Sequence, residues 1–152
     1  MKYLLILFVI ALALAPLSHF IPSKRQRRIA NLREYAAVHG LFVEFRTLPG
    51  ADKNRERPVI APRGDIIYYG KRLRPRRTDA VQTASWIYSA QGWRSLDRRT
   101  SPPDQLLQLP DNILAASVQE SSCGIYWQES GEEAQVEQIR QVLESWAEAL
   151  LQ

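Results

Sequence analysis

The feature that most constrains this chain is an uncharged, strongly apolar run near its beginning. Residues 3–21 read YLLILFVIALALAPLSHFI and carry no formal charge over nineteen positions. As a helix that rises about 1.5 Å per residue, the run would be roughly 28 Å long, close to the hydrocarbon thickness of a bilayer. The run therefore predicts a transmembrane anchor over residues 1–22.

The charges on either side of the run predict its orientation. Only Lys2 precedes the run, whereas a dense positive cluster follows it in the segment SKRQRR at residues 23–28. Positive residues are retained on the cytoplasmic side of a membrane. We therefore expect a single-pass protein of the inner membrane, with its N-terminus outside and its C-terminal domain in the cytoplasm.

A cleaved signal peptide is the alternative interpretation of the same run. Ala13-Leu14-Ala15 resembles the small-x-small pattern that precedes a cleavage site, and cleavage after Ala15 would release a periplasmic domain. Pro16 would directly follow the cut and obstruct processing, and the positive cluster resists translocation. These two features favour the uncleaved anchor.

The charge of the chain is divided unevenly along its length. Residues 23–80 contain fifteen Lys or Arg against six Asp or Glu, whereas residues 81–152 contain four against ten. Such asymmetry predicts a basic face that meets an anionic partner, although the two halves could also neutralise each other. The candidate contact residues form two basic runs: Lys24, Arg25, Arg27 and Arg28, then Lys71, Arg72, Arg74, Arg76 and Arg77.

Anionic phospholipid headgroups are the partner that the two runs favour. Each basic residue near an anionic leaflet contributes about 1 kcal/mol to binding. The plainer alternatives are a topology signal for the first run and a solvated loop for the second, because Pro75 discourages regular structure there. Nucleic acid is not expected, since the second run contains no interleaved aromatic residue to stack on bases and no recognition helix follows it.

Patterning of the remaining chain predicts an α+β domain. Ser23 and Gln26 have capping-box spacing and open a basic juxtamembrane helix over residues 23–40, which Gly40 ends. Residues 41–152 then form a β-rich soluble domain of about seven short antiparallel strands. A C-terminal amphipathic helix over residues 131–151, capped by Ser130 with Glu133, closes it.

Two arrangements fit this order of elements. Short strands followed by a terminal helix resemble the pleckstrin-homology-like fold, in which the sheet is rolled. The alternative is a flatter sheet of four or five strands with both helices on one face.

No recurrent catalytic pattern stands out. The two histidines, His19 and His39, do not form a zinc-ligand spacing with the single Cys123, and the Gly-rich phosphate-binding and nucleophile motifs do not occur. We therefore predict no catalytic residues, cofactor or metal. The expected function is a membrane-tethered, non-catalytic interaction or accessory module with an unidentified protein partner, or alternatively an anionic-lipid-binding domain.

One resemblance concerns the apolar segment and the basic junction that follows it. The run PSKRQRRIANLREYAAVHGLFV at residues 22–43, after an apolar segment, resembles a family of uncharacterised single-span proteins from gamma-proteobacteria. Members of that family are sometimes labelled as the YajC accessory subunit of the preprotein translocase. YajC itself is similar only in the anchor and the basic junction, so the resemblance implies no functional residues.

Overall fold

The computed structural model describes residues 1–15, 22–50, 64–74, 82–97 and 99–151. The chain divides into two compact units, Met1–Ala30 and Asn31–Gln152, and the boundary falls inside the second helix. The first unit contains helix α1 (Lys2–Leu14) and the beginning of helix α2 (Lys24–Val38).

The prediction of a membrane-spanning helix over residues 3–21 is wrong. Helix α1 has 13 residues and ends at Leu14, so it is about 20 Å long, whereas the hydrocarbon core of a bilayer is about 30 Å thick. Within the described parts of the chain, no helix combines the length and apolarity needed to cross a membrane. Residues 16–21 of the predicted span lie outside those parts. The same finding contradicts the single-pass inner-membrane localisation and the topology that were inferred from the span.

Helix α2 begins with the capping box that the sequence predicts. The Ser23 backbone N–H donates to Gln26 Oε1 at 2.8 Å, and the Gln26 N–H donates to Ser23 Oγ at 3.2 Å. These reciprocal bonds satisfy two amide groups that the first helical turn leaves without partners. They fix the helix start although the basic residues of the first turn oppose the helix dipole.

The second unit is built on one antiparallel sheet, which confirms the predicted α+β class. Its described strands are β1 (Phe42–Phe45), β2 (Ile67–Arg72), β3 (Ala84–Ser89), β4 (Gly92–Ser95), β5 (Ile113–Gln119) and β6 (Ser122–Trp127). The spatial order is β1-β2-β6-β5-β3-β4, so β1 and β4 are the edges of this six-stranded sheet. The rolled pleckstrin-homology-like arrangement is therefore not the one adopted by these strands. Residues 51–63 and 75–81 of the predicted β-rich domain lie outside the described residues.

One face of the sheet is covered by helices. Helix α3 (Glu133–Leu150) buries the apolar stripe that its sequence predicts, and a short 3₁₀ helix (Asp104–Gln108) lies in the connection between β4 and β5. Leu32 and Ala36 of α2 are buried in the same core. The sheet with both helices on one face corresponds to the alternative arrangement, with more strands than expected.

The start of α3 differs from the prediction by two residues. The capping box consists of Glu132 and Gln135, whose side-chain Oε1 accepts from the Glu132 backbone N–H at 3.2 Å. Ser130 does not cap the helix, because its Oγ accepts a hydrogen bond from Asn112 Nδ2 at 3.3 Å. A sequence pattern gives the spacing of such a box but not the competing partners of its residues.

The opposite face of the sheet is covered in part by aromatic rings that lie on two paired glycines. Gly70 of β2 is opposite Gly124 of β6. A Cβ at Gly124 would be 2.4 Å from Tyr68 Cζ, and one at Gly70 would be 2.5 Å from Phe42 Cζ. Because glycine has no side chain, both rings can lie close to the backbone, as aromatic residues often do over glycines in sheets.

Replacing Trp146 with Ala tests the packing of α3 on the sheet. Trp146 is 1% exposed and contacts Trp86 edge-on, with ring centroids 5.7 Å apart. We expect the free energy of unfolding to fall by about 3 to 5 kcal/mol in urea titrations, because the substitution opens a large cavity. The matched control is Ser145→Ala on the exposed side of α3, with an expected change below about 0.5 kcal/mol. Equal effects of the two substitutions would contradict this packing.

Candidate anion-binding groove

An open groove of about 610 Å³ lies where the turn after α2 meets the end of β2. Its lining contains three cationic side chains beside apolar ones: Gly40, Leu41, Phe42, Lys71, Arg72, Leu73 and Arg74. A groove that is bordered by several cationic side chains has a positive potential suited to an anion. We call this feature the basic groove.

The first wall of the basic groove depends on the helix end at Gly40. Gly40 has a φ of 79°, a left-handed conformation that glycine adopts without steric cost. The Gly40 N–H donates to the Ala37 carbonyl at 3.1 Å, and the Leu41 N–H donates to the Ala36 carbonyl at 2.9 Å. These bonds close the helix, as the sequence predicts, and turn the chain directly into β1.

The second wall consists of residues that the sequence places in a loop. Lys71 and Arg72 instead complete β2, where they pair with Cys123 and Ser122 of β6. The loop prediction is wrong for these two residues because Pro75 restricts only the residue directly before it, and sheet pairing continues up to Arg72. Successive side chains of the strand point to opposite faces, so Lys71 points towards the helices and Arg72 away from them.

The structure gathers part of the predicted contact set. Of the nine basic residues in the two predicted runs, Lys71, Arg72 and Arg74 line the basic groove. The residues of the first run, at 24–28, are exposed on the first turns of α2, in the unit Met1–Ala30. Arg76 and Arg77 lie outside the described residues.

Sequence reasoning missed Phe42 of β1, which lines the basic groove, and Arg46 just after β1, which contacts the Phe42 ring without lining the groove. The Arg72 guanidinium lies 5.5 Å from the centroid of the Phe42 ring, and Arg46 lies 5.9 Å from the same ring. Arg46 also stacks 4.0 Å from the centroid of Tyr68. An aromatic ring therefore does stand between cations, but it comes from a neighbouring strand. Alternation of Phe42, Glu44 and Arg46 on one face of a predicted strand was the available signal.

An ion-pair chain leads away from the basic groove. Lys71 Nζ lies 3.1 Å from Glu144 Oε1, and Arg140 Nη1 lies 2.5 Å from Glu144 Oε2. Arg140 also donates two hydrogen bonds to Glu137, of 2.7 and 2.8 Å, and Tyr35 donates a third at 3.0 Å. The hydrogen bond from Lys71 and the nearby Arg140 lower the pKa of Glu144.

A buried carboxylate fixes α2 beside the basic groove. Glu129, which is 3% exposed, accepts hydrogen bonds from Arg33 Nε at 2.7 Å, Arg33 Nη2 at 2.6 Å and the Tyr69 hydroxyl at 2.9 Å. The hydrogen bond to Glu129 raises the pKa of Arg33, and burial raises the pKa of Tyr69. Glu129 holds a φ of 52°, which a non-glycine residue adopts only where its surroundings compensate.

Chemically reactive groups do not converge on the basic groove in the described part of the chain. No group of three or more His, Cys, Asp or Glu residues suited to a metal ion occurs among those residues. Cys123 is buried, and burial raises the pKa of its thiol to about 12, so the thiolate that a nucleophile needs is not formed near neutral pH. The groove is therefore suited to holding an anion by charge and hydrogen bonds.

Arg33→Ala tests the buried carboxylate. The substitution leaves Glu129 buried without its ionic partner, so we expect unfolding free energy to fall by about 3 kcal/mol in denaturant titrations. Glu44→Ala is the control, since it breaks the more exposed pair with Arg46 and should cost no more than about 1 kcal/mol. A loss for Arg33→Ala as small as that of the control would contradict a structural role for the pair.

Acid should weaken the link between α2 and α3 through Glu137. Hydrogen bonds from Arg140, Gln141 and Tyr35 lower the pKa of Glu137 from 4.5 to about 2. The stabilising contribution of a carboxylate with a lowered pKa is complete above 4.5 and is lost as pH falls towards 2. The stability difference between wild type and Glu137→Gln, measured by thermal unfolding, should therefore shrink across this window. A constant difference would contradict the assignment, and Glu148→Gln on the same helix serves as the control for loss of charge.

Comparison of the chain with family models, with curated proteins and with solved structures gave no match. The resemblance of residues 22–43 to the single-span family therefore remains a prediction. The function proposed below therefore rests on the geometry of the basic groove.

Proposed function

We propose that this chain is a non-catalytic binding module that holds a phosphate-bearing ligand in the basic groove. The observation that carries the proposal is that Lys71, Arg72 and Arg74 line one open groove together with Phe42. Arginine and lysine together recognise phosphate well, because guanidinium groups offer paired donors and ammonium supplies a compact charge.

The expected affinity follows from the number and exposure of the cations. At about 1 kcal/mol for each basic residue near an anionic surface, three cations give about 3 kcal/mol, which is weaker than millimolar binding for one phosphate group. Tighter binding requires a ligand with several phosphates or a surface that presents many of them. Because Arg72 and Arg74 are exposed, binding should also weaken as salt screens their charges.

Two sources present the same chemistry: a soluble polyphosphate and the headgroup of an anionic lipid. The basic groove offers cations to either ligand, and the experiment described next distinguishes the two. The non-catalytic character is supported by the ion pairs of Glu144, the carboxylate nearest to Lys71, which holds Lys71 and Arg140. A carboxylate engaged by two cations is poorly suited to act as a general base.

The test compares two double variants of the full chain. Arg72→Gln with Arg74→Gln removes two cations of the basic groove, whereas Arg94→Gln with Arg99→Gln removes two near the opposite edge of the sheet. Binding of inorganic pyrophosphate is measured by calorimetry, and binding to phosphatidylcholine vesicles with and without phosphatidylglycerol by sedimentation. We expect the groove variant to lose about tenfold or more of its affinity, and the control less than about twofold.

The outcomes separate the two sources. Groove-dependent binding of pyrophosphate, with no preference for phosphatidylglycerol, supports a soluble phosphate ligand. Groove-dependent binding that requires phosphatidylglycerol supports a lipid headgroup. If both double variants bind either probe like wild type, or lose affinity equally, the basic groove is not the binding site and the proposal fails.

A further inference from the structure

We infer that Glu144 is an internal anion that occupies Lys71 in the empty basic groove and competes there with the ligand. The inference rests on the proposed function, because it concerns how the same groove sets its affinity. It makes Glu144, which comes from α3 and does not line the groove, a residue that controls ligand binding.

The exposure of the pair allows exchange. The side chains of Lys71 and Glu144 are 26% and 37% exposed, and their charged atoms are 3.1 Å apart. Water and a small anion can therefore reach the contact, and partly exposed ion pairs of this kind contribute only about 0 to 1 kcal/mol. A dianion at Lys71, which the charges of the neighbouring arginines also attract, gains more than the exchange costs.

Arg140 lowers the free-energy cost for Glu144 of losing its contact with Lys71. The second oxygen of Glu144, Oε2, is held by Arg140 Nη1, which lies one helical turn away on α3. When Lys71 moves to the ligand, the carboxylate therefore keeps one cationic partner. Arg140 itself remains fixed by its two hydrogen bonds to Glu137.

The competition also indicates the class of ligand. A monocarboxylate at Lys71 would only repeat the contact that Glu144 already makes. A dianionic phosphate or sulfate has additional oxygens and charge, so it is a stronger partner for Lys71 than a monocarboxylate and is also attracted by the charges of the neighbouring Arg72 and Arg74. The groove should therefore bind such dianions and respond weakly to acetate.

Competition by a carboxylate predicts a dependence on pH. The groups that face Glu144 are Lys71 from β2 and Arg140 from α3; Cys123 of β6, which pairs with Lys71, is a neutral thiol. Both facing cations keep their charge in mild acid. As pH falls, protonation of Glu144 frees Lys71, so the affinity for a dianion should rise. Sulfate is the suitable probe because its charge does not change in this range.

The experiment titrates the folded full chain with sulfate and follows binding by NMR chemical shifts from about pH 7 to about pH 3, because the contacts with Lys71 and Arg140 lower the pKa of Glu144. Near pH 7, Glu144→Gln should bind sulfate about two- to fivefold more tightly than wild type. It should also lose most of the tightening that wild type shows in acid. Glu148→Gln removes the same charge one turn further along α3, and it should match wild type in both respects. Thermal unfolding checks that each variant is folded.

A substitution of Lys71 tests whether Glu144 acts on ligand binding through this residue. Lys71→Gln should weaken sulfate binding, and adding Glu144→Gln to it should give no tightening, because the residue for which the two anions compete is absent. If Glu144→Gln alone leaves sulfate affinity and its pH dependence unchanged while the Arg72 and Arg74 variant weakens binding, the inference fails and the proposed function stands. If no substitution in the groove changes sulfate or pyrophosphate binding, both fail.

Discussion

The buried carboxylate of Glu129 is the interaction on which the arrangement of the second unit depends. A carboxylate with almost no exposure is costly to bury unless its oxygens are satisfied, and here two guanidinium donors and a phenol satisfy them. The donors come from α2 and β2, and the acceptor follows β6. One charged group thus fixes the second half of α2 on the sheet, and with it the turn at Gly40 that forms one wall of the basic groove.

Much of this fold could be predicted from local patterns. The stripe of α3, the capping box at Ser23 and the short antiparallel strands follow from spacing alone, because periodicity and turn residues act over a few positions. The membrane span was wrong for a related reason. Hydropathy measures how apolar a run is, whereas the described helix α1 has only 13 residues.

The candidate site was predictable only where it is contiguous in sequence. Lys71, Arg72 and Arg74 form a visible basic run, so they were identified. Phe42 reaches the basic groove by strand pairing, and Glu144 reaches Lys71 from a helix 73 positions later in the chain. Contacts of this kind depend on tertiary packing, which no local pattern encodes. Pro75 added a misleading signal, since its effect on backbone geometry ends with the residue before it.

The order of the strands has a consequence for the behaviour of the protein at high concentration. The edges of the described sheet are β1 and β4, which have 4 residues each, whereas the central strands have 6 or 7. Unpaired backbone groups at a sheet edge invite other chains to add a strand. Short edges with a charged residue in each, Glu44 in β1 and Arg94 in β4, limit such addition. The sheet thus confines its longest, most apolar strands to positions where no second molecule can pair with them.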